Sequence, residues 1–289
     1  MENRTEETSL VKYNSNMNEI IFKDFTDRDF NLLMAIVSRV SGKGTTEKIV
    51  LDYKTLKILA GFENKKITNI EFTKILAKMN EKLMRCFCRV QDGDDEIDFT
   101  LFPTFTRNAV KAQLTVKVSD EIGYILNDFN SYTGLELKRF VRIKSTYTKT
   151  LYRKLRQFKR SGEYHVSVDD FRREFLVPET YRQCDIQRRI IKPAIQELQK
   201  DFKNLECIPH HKAEKGRPID RYLFKFQSPE QIEGQTTITD ALNTMTKYKA
   251  TKAKQSINQI KSQAKKNSFN NFQQNSYDFE SLEKQLLDN

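Results

Sequence analysis

The chain has 289 residues, enough for two ordinary domains, each with its own core. Its 50 Lys+Arg against 39 Asp+Glu leave a formal net charge of +11. A polyanion, nucleic acid first, is the expected partner, with a merely cationic solvated surface as the bland alternative. No apolar run approaches the roughly 18 residues of a membrane span, and the polar start MENRTEETSLVKYN lacks the apolar core of a secretory signal. The expectation is a cytoplasmic protein with no membrane contact. Its 4 cysteines suit that compartment as free thiols, and Cys86 and Cys88, at strand spacing without a second pair, read as structural rather than zinc-binding.

Residues 1–25 read as a polar N-terminal arm with one short strand near Glu19–Phe22. Thr26 then caps a helix whose Phe30, Leu33, Ile36, Val37 and Val40 fall at helical spacing. The Gly42-Lys43-Gly44 cluster that follows is a turn, since a phosphate-binding loop needs Gly, four residues, then Gly-Lys-Ser/Thr. Next come a short strand, a helix capped by Asp52 and stopped at Gly61, and a second helix through Ile67, Ile70, Ile75, Leu76, Met79 and Leu83. Two strands, MRCFCRVQ and EIDFTLFPTF, flank the hairpin turn DGDDE, and AQLTVKV makes a third. Short helices are expected at Ser119–Phe129 and Leu135–Val141, broken around Gly134, which places a domain boundary near residue 132.

The stretch Lys144–Gln227 repeats this plan: helix, short strand (VSVDDFRREFLV mirrors IVLDYKTLKILA), helix, turn, helix, hairpin. That order is a helix-turn-helix with a β-hairpin wing. The expected architecture is α+β, with two tandem winged-helix domains at 26–131 and 132–227. Residues 228–289, rich in Gln, Asn, Lys, Ser and Thr, hold too few apolar groups for a core and read as a flexible polar tail.

Three constellations suit DNA. On the helix Lys144–Arg160, Tyr147, Leu151, Leu155 and Phe158 form an apolar stripe, while Lys149, Arg153, Arg156 and Arg160 are expected on the remaining surface. Lys144, Ser145, Thr148 and Lys149 would cluster as donors to phosphate oxygens. The helix Gln183–Lys200 buries Ile186, Ile190, Ala194 and Leu198, leaving Gln187, Arg188, Arg189 and Lys192 outward at the position that enters a major groove. Arg can pair bidentately with guanine and Gln with adenine. Pro193 should kink this helix. The last hairpin tip is basic, with His210, His211, Lys212, Lys215 and Arg217 around Gly216, whereas Asp92, Gly93, Asp94, Asp95 and Glu96 form an acidic tip that phosphate would repel. The second domain is therefore expected to be the main reader, the first adding contacts through Lys65, Lys66, Thr68 and Asn69.

Catalysis and cofactors are not expected. A nickase would need His-hydrophobic-His and a nucleophilic Tyr, but His210 and His211 are adjacent, so on a strand they face opposite ways. Tyr147, Tyr152 and Tyr181 sit at apolar positions, and no carboxylates show metal-ligand spacing.

Across residues 10–227, the blocks FKDFTDRDFNLLMAIVSRV, NDFNSYTGLELKRF, LKRFVRIKSTYTKTLYRKLRQFKRSG, VSVDDFRREFLVPETY, DIQRRIIKPAIQELQKDFKNL and EKGRPIDRYLFKF together resemble the plasmid replication initiator (Rep) family of tandem winged-helix proteins, closest to initiators of theta-replicating plasmids in Gram-positive bacteria. The resemblance implies binding of double-stranded origin DNA at repeated sites (iterons), and origin opening with host replication-initiation and helicase-loading proteins. It also implies a monomer–dimer equilibrium in which dimers repress their own promoter and limit copy number. Family recognition maps onto Gln187, Arg188, Arg189 and Lys192, and the wing onto Lys215 and Arg217. A tandem winged-helix transcription regulator is the alternative.

If the basic wing grips the backbone, Lys215→Ala should weaken binding to all duplexes alike and shallow the salt slope by about one unit in a salt titration of affinity.

Overall fold

The computed structural model describes residues 10–43, 48–63, 65–92, 95–118, 132–213 and 218–227, with the backbone alone for those between 87 and 99. The expected helix at Ser119–Phe129, most of the basic tip and the tail lie outside these residues.

Strand β1 (Leu10–Asn14) alternates outward and inward, burying Val11 and Tyr13, and pairs antiparallel with β7 (Tyr132–Glu136). Two expectations are corrected here. The arm's strand lies at Leu10–Asn14 rather than near Glu19–Phe22, because the latter lacks period-2 alternation. Residues Ser15–Glu19 form a 3-10 turn that buries Met17. The expected break around Gly134 is instead part of β7, and the helix expected from Leu135 is α4 (Leu137–Arg142). Thr133 is drawn into the sheet's buried face by hydrogen bonds to Ser15 Oγ and Asn18 Nδ2.

The first winged helix runs α1 (Asp27–Val40), β2 (Ile49–Asp52), α2 (Tyr53–Leu59), α3 (Asn69–Leu83), β5 (Thr104–Asn108) and β6 (Gln113–Lys117), with sheet order β2-β6-β5. Each helix start is sealed locally. Thr26 and Asp29 form a capping box, Asp52 accepts from Thr55 N–H at 2.7 Å, and Thr68 pairs with Glu71 in a second box. The second winged helix repeats the path: α5 (Thr146–Gln157), β8 (Glu163–Ser167), α6 (Val168–Glu174), α7, β9 (Lys203–His211) and β10 (Ile219–Gln227), with order β8-β10-β9. Helix α7 is three abutting segments, Gln183–Ile186, a π turn at Gln187–Ile191, and Lys192–Leu198.

The repeat extends to single bonds. Helix α2 ends with Phe62 N–H on the Lys57 carbonyl and Gly61 at φ +75; α6 ends with Val177 N–H on the Arg172 carbonyl and Leu176 at φ +51. Both are left-handed helix ends that reverse the chain into the next helix.

EIDFTLFPTF does not form one strand. Leu101 and Phe102 are both buried, which breaks the alternation, and Pro103 cannot donate to a ladder. The segment therefore splits into β4 (Asp95–Thr100), which pairs only with β3 (Phe87–Asp92), and β5, which joins β6. The acidic hairpin is thus an insertion between α3 and the three-stranded sheet. The wing of the first unit is β5–β6, whose turn contains Val110 and Lys111 rather than a run of acids.

The units meet through their first helices: α1 packs on α4 and α5, and α5 also packs on α7 and β7. An added Cβ at Gly61 would meet Val141 Cγ1 of α4 at 2.6 Å, where φ is already positive. Gly61→Ala should lose about 1–3 kcal/mol in a denaturant melt, from left-handed strain and the clash with α4.

Candidate nucleic-acid interface

In the second unit the turn before α7 is fixed before any ligand arrives. Ser167 caps α6, accepting from Asp170 N–H at 3.0 Å. Arg172 Nη2 donates to the Tyr181 carbonyl at 2.8 Å, closing the turn. The start of α7 is pinned twice: Gln183 Nε2 donates to the Tyr222 hydroxyl on wing strand β10, and Asp185 accepts from Arg182 N–H at 3.2 Å.

Along α7 the expected inward set holds, with Ile186, Ile190, Ala194 and Leu198 buried. Pro193 does not simply kink the helix. Its ring would crowd the carbonyl four residues back, and the π turn immediately before it relieves this by shifting Lys192 N–H onto the Gln187 carbonyl, five residues back. The extra residue in that turn also lets the consecutive Ile190 and Ile191 both face the core. Arg188, Arg189 and Lys192 remain exposed, and Gln187 is half-buried. Arg189 stacks over the Tyr181 ring at 5.1 Å, and the neighbouring Tyr181 side chain raises its already high pKa.

Lys212 begins the wing tip, its N–H on the Pro218 carbonyl at 2.9 Å, and His210 and His211 are exposed on β9. Lys215, Gly216 and Arg217 lie outside the described residues.

In the first unit Lys65 and Lys66 are exposed and, with Lys54 and Lys57, border an open groove of about 750 Å³ between α2 and α3. Thr68 is occupied by its capping box, and Asn69 Oδ1 accepts from Lys57 Nζ at 3.2 Å. The β5–β6 wing adds Arg107 and exposed Lys111, its turn shaped by Asn108 Oδ1 accepting Lys111 N–H at 2.8 Å. Sequence reasoning missed this wing because the acidic tip lies in a segment with stronger turn signals.

The expected phosphate cluster on α5 is not a surface. Lys144 is exposed, but Ser145 is the N-cap, accepting from Thr148 N–H, and Thr148 is buried. Lys149 and Arg153 are internal, contrary to expectation, because their partners come from α1, the N-terminal arm and α4. Lys149 Nζ donates at 2.6 Å to both Asn31 Oδ1 and the Phe140 carbonyl, and lies 4.2 Å from the Phe140 ring centroid. Arg153 donates to Asn18 Oδ1 and the Met17 carbonyl, at 3.1 and 2.8 Å, and lies over the rings of Phe22 and Phe30. Burial pulls Lys149 down to about pKa 7.

Of the described thiols, Cys86 is buried just before β3, Cys184 is exposed, and burial pushes half-buried Cys207 up to about 12. The described residues include no group of His, Cys, Asp and Glu able to hold a metal ion, and no helix long and apolar enough to cross a membrane.

Two helix-turn-helix units of one topology, each with a β-hairpin wing and exposed cations, define a tandem winged-helix protein. The chain belongs to the replication initiator family: residues 10–156 match the model "Initiator Replication protein, WH1" and residues 167–226 match "Initiator Rep protein, WH2". It is 29% identical over 191 residues to a "Probable replication protein rep" of Bifidobacterium longum (strain NCC 2705), a match covering 65% of this chain and 64% of that relative. In fold it is similar to the crystal structure of the Pi initiator protein in complex with iteron DNA, with TM-score 0.60, 15% identity, and coverage of 78% of this chain and 99% of that one.

The Lys149 pKa fixes the sign of one pH dependence. Below about pH 7 the ammonium is charged in both folded and unfolded chains, and the cost of burying it is present in full. Above that, the folded site releases its proton while the unfolded lysine, near 10.5, keeps it. Wild-type stability should therefore rise between pH 7 and 9, by at most about 1.4 kcal/mol per pH unit from this group. In chemical melts at stepped pH, Lys149→Met should lack this rise.

Proposed function

We propose that this protein initiates plasmid replication by binding repeated duplex sites at an origin and promoting its opening, without itself catalysing a covalent step. The observation that carries this reading is the pairing of two like winged helices in a chain of the initiator family, the second presenting Arg188, Arg189 and Lys192 from a braced helix. Arg188 and Arg189 read base edges by bidentate pairing, and Lys192 with the wing residues Lys212, Lys215 and Arg217 holds the backbone. The first unit contributes through Lys65, Lys66 and the β5–β6 wing. With no acidic run on that wing, electrostatic repulsion gives no reason to exclude this unit from the duplex. Thr68 and Asn69 position α3 there. Host helicase-loading proteins would act on the opened origin, and self-association would switch between initiation and repression of the protein's own promoter and of copy number.

A plasmid whose only initiator gene is this one should replicate, and one lacking the neighbouring repeats should not; maintenance without the repeats would oppose the reading. In competition binding, Arg188→Ala and Arg189→Ala should each cost roughly 1–3 kcal/mol on the cognate repeat and relax base preference. Undiminished discrimination in the double variant would remove α7 as the reader.

A further inference from the structure

Near its start, helix α7 carries a carboxylate, Asp185, beside its exposed cations. Asp185 Oδ2 accepts the Arg182 N–H at 3.2 Å and so seals the helix start. Its Oδ1 accepts from Arg188 Nη2 at 3.0 Å and lies 3.5 Å from Arg189 Nε. The Asp185 side chain is only 20% exposed, whereas Arg188 is 71% and Arg189 54% exposed. One fixed anion therefore holds two mobile cations by a single oxygen.

The two arginines are not held alike. Arg189 has a second anchor in the Tyr181 ring, while among the described residues Arg188 is held by Asp185. An arginine this exposed and held only by its aliphatic stem would sample many rotamers, and its charge would find phosphate oxygens on any sequence. A carboxylate on one guanidinium nitrogen narrows the directions the group can take and leaves its other N–H groups free for a base edge. The anion itself is repelled by phosphate, which penalises complexes that gain only backbone contacts.

We propose that Asp185 is a specificity-determining positioning residue, which aims Arg188 at a base edge and suppresses sequence-independent binding by that arginine. The inference rests on α7 being the DNA reader. Asp185→Asn tests it, since the amide keeps an oxygen for the Arg182 N–H but removes the charge; Asp185→Ser serves should the amide variant fail to fold. The full-length protein is used, with duplexes selected by wild type from a random-sequence library and a shuffled duplex of equal composition.

The expected results are tighter binding of the shuffled duplex, by about 3- to 10-fold, and a specific-to-shuffled ratio reduced by at least about 10-fold. The melting temperature should change little. In an Arg188→Ala background the same substitution should alter the ratio less than about 2-fold, because the arginine it acts through is gone; in an Arg189→Ala background the full effect should persist. An unchanged ratio in Asp185→Asn overturns the proposal, as does an effect of equal size with and without Arg188. A wild-type protein that enriches no sequence from the library overturns the reader assignment as well. Discrimination by wild type that survives in Asp185→Asn overturns this inference alone.

Discussion

Two cations of one helix, Lys149 and Arg153, have left water, and the placement of both winged helices follows from where their partners lie. An uncompensated buried charge costs several kcal/mol, so each needs short, directed acceptors. Those acceptors are Asn31 of α1, the Met17 carbonyl and Asn18 of the arm, and the Phe140 carbonyl at the end of α4. An apolar seam between α1 and α5 could slide by a fraction of a turn at small cost, whereas these bonds hold at one register. Arg139 adds a clamp of the same kind, gripping both carboxylate oxygens of Asp201 at 2.9 and 2.8 Å and the Glu197 carbonyl, so α4 is tied to the far end of the reading helix. The arm belongs to this frame because it supplies acceptors, and β1–β7 pairing holds it in place.

The two units share a path, and the difference between them is an insertion. The three-stranded sheets have equivalent orders, and the two helix-turn-helix elbows turn on the same left-handed residue, glycine in one and leucine in the other. The acidic hairpin β3–β4 stands outside this common plan as a separate two-stranded sheet. Its charge therefore says little about the first unit's wing, which carries Arg107 and Lys111. Both units keep exposed cations near the second helix or the wing.

The reading helix shows how packing and presentation are reconciled. A proline inside a helix and two adjacent isoleucines that both seek the core would each disturb an ideal α-helix. One π turn accommodates both, since widening the ring clears the Pro193 clash and adds the residue that turns Ile190 and Ile191 inward together. The residues it places outward, Arg188 and Arg189, are the ones Asp185 restrains. Bracing of the turn by Arg172 and Tyr181 and of the helix start by Gln183 and Tyr222 keeps that surface in place without ligand, which lowers the ordering cost of binding.

Much of this was legible in the chain alone. Helical spacing, caps at Thr26 and Asp52, and the stop at Gly61 are local features, set within a few residues, and they determined the order of helices and the tandem winged-helix plan. The exposure of Arg188, Arg189 and Lys192 followed from the four-residue repeat of Ile186, Ile190, Ala194 and Leu198. What needed the tertiary structure were matters of partnership. Strand pairing is non-local, so only the sheets reveal that β5 belongs with β6, and that the acidic hairpin is an insertion rather than a wing. Lys149 and Arg153 look like surface cations on a helical wheel, because a wheel sees one helix and its own core. A second unit covering the opposite face, with acceptors more than 100 residues away in sequence, turned that face inward. The sequence by itself determined which segments fold and which face each shows to its own core; the tertiary structure decided which of the remaining faces still meet solvent, and so which cations are free to meet DNA.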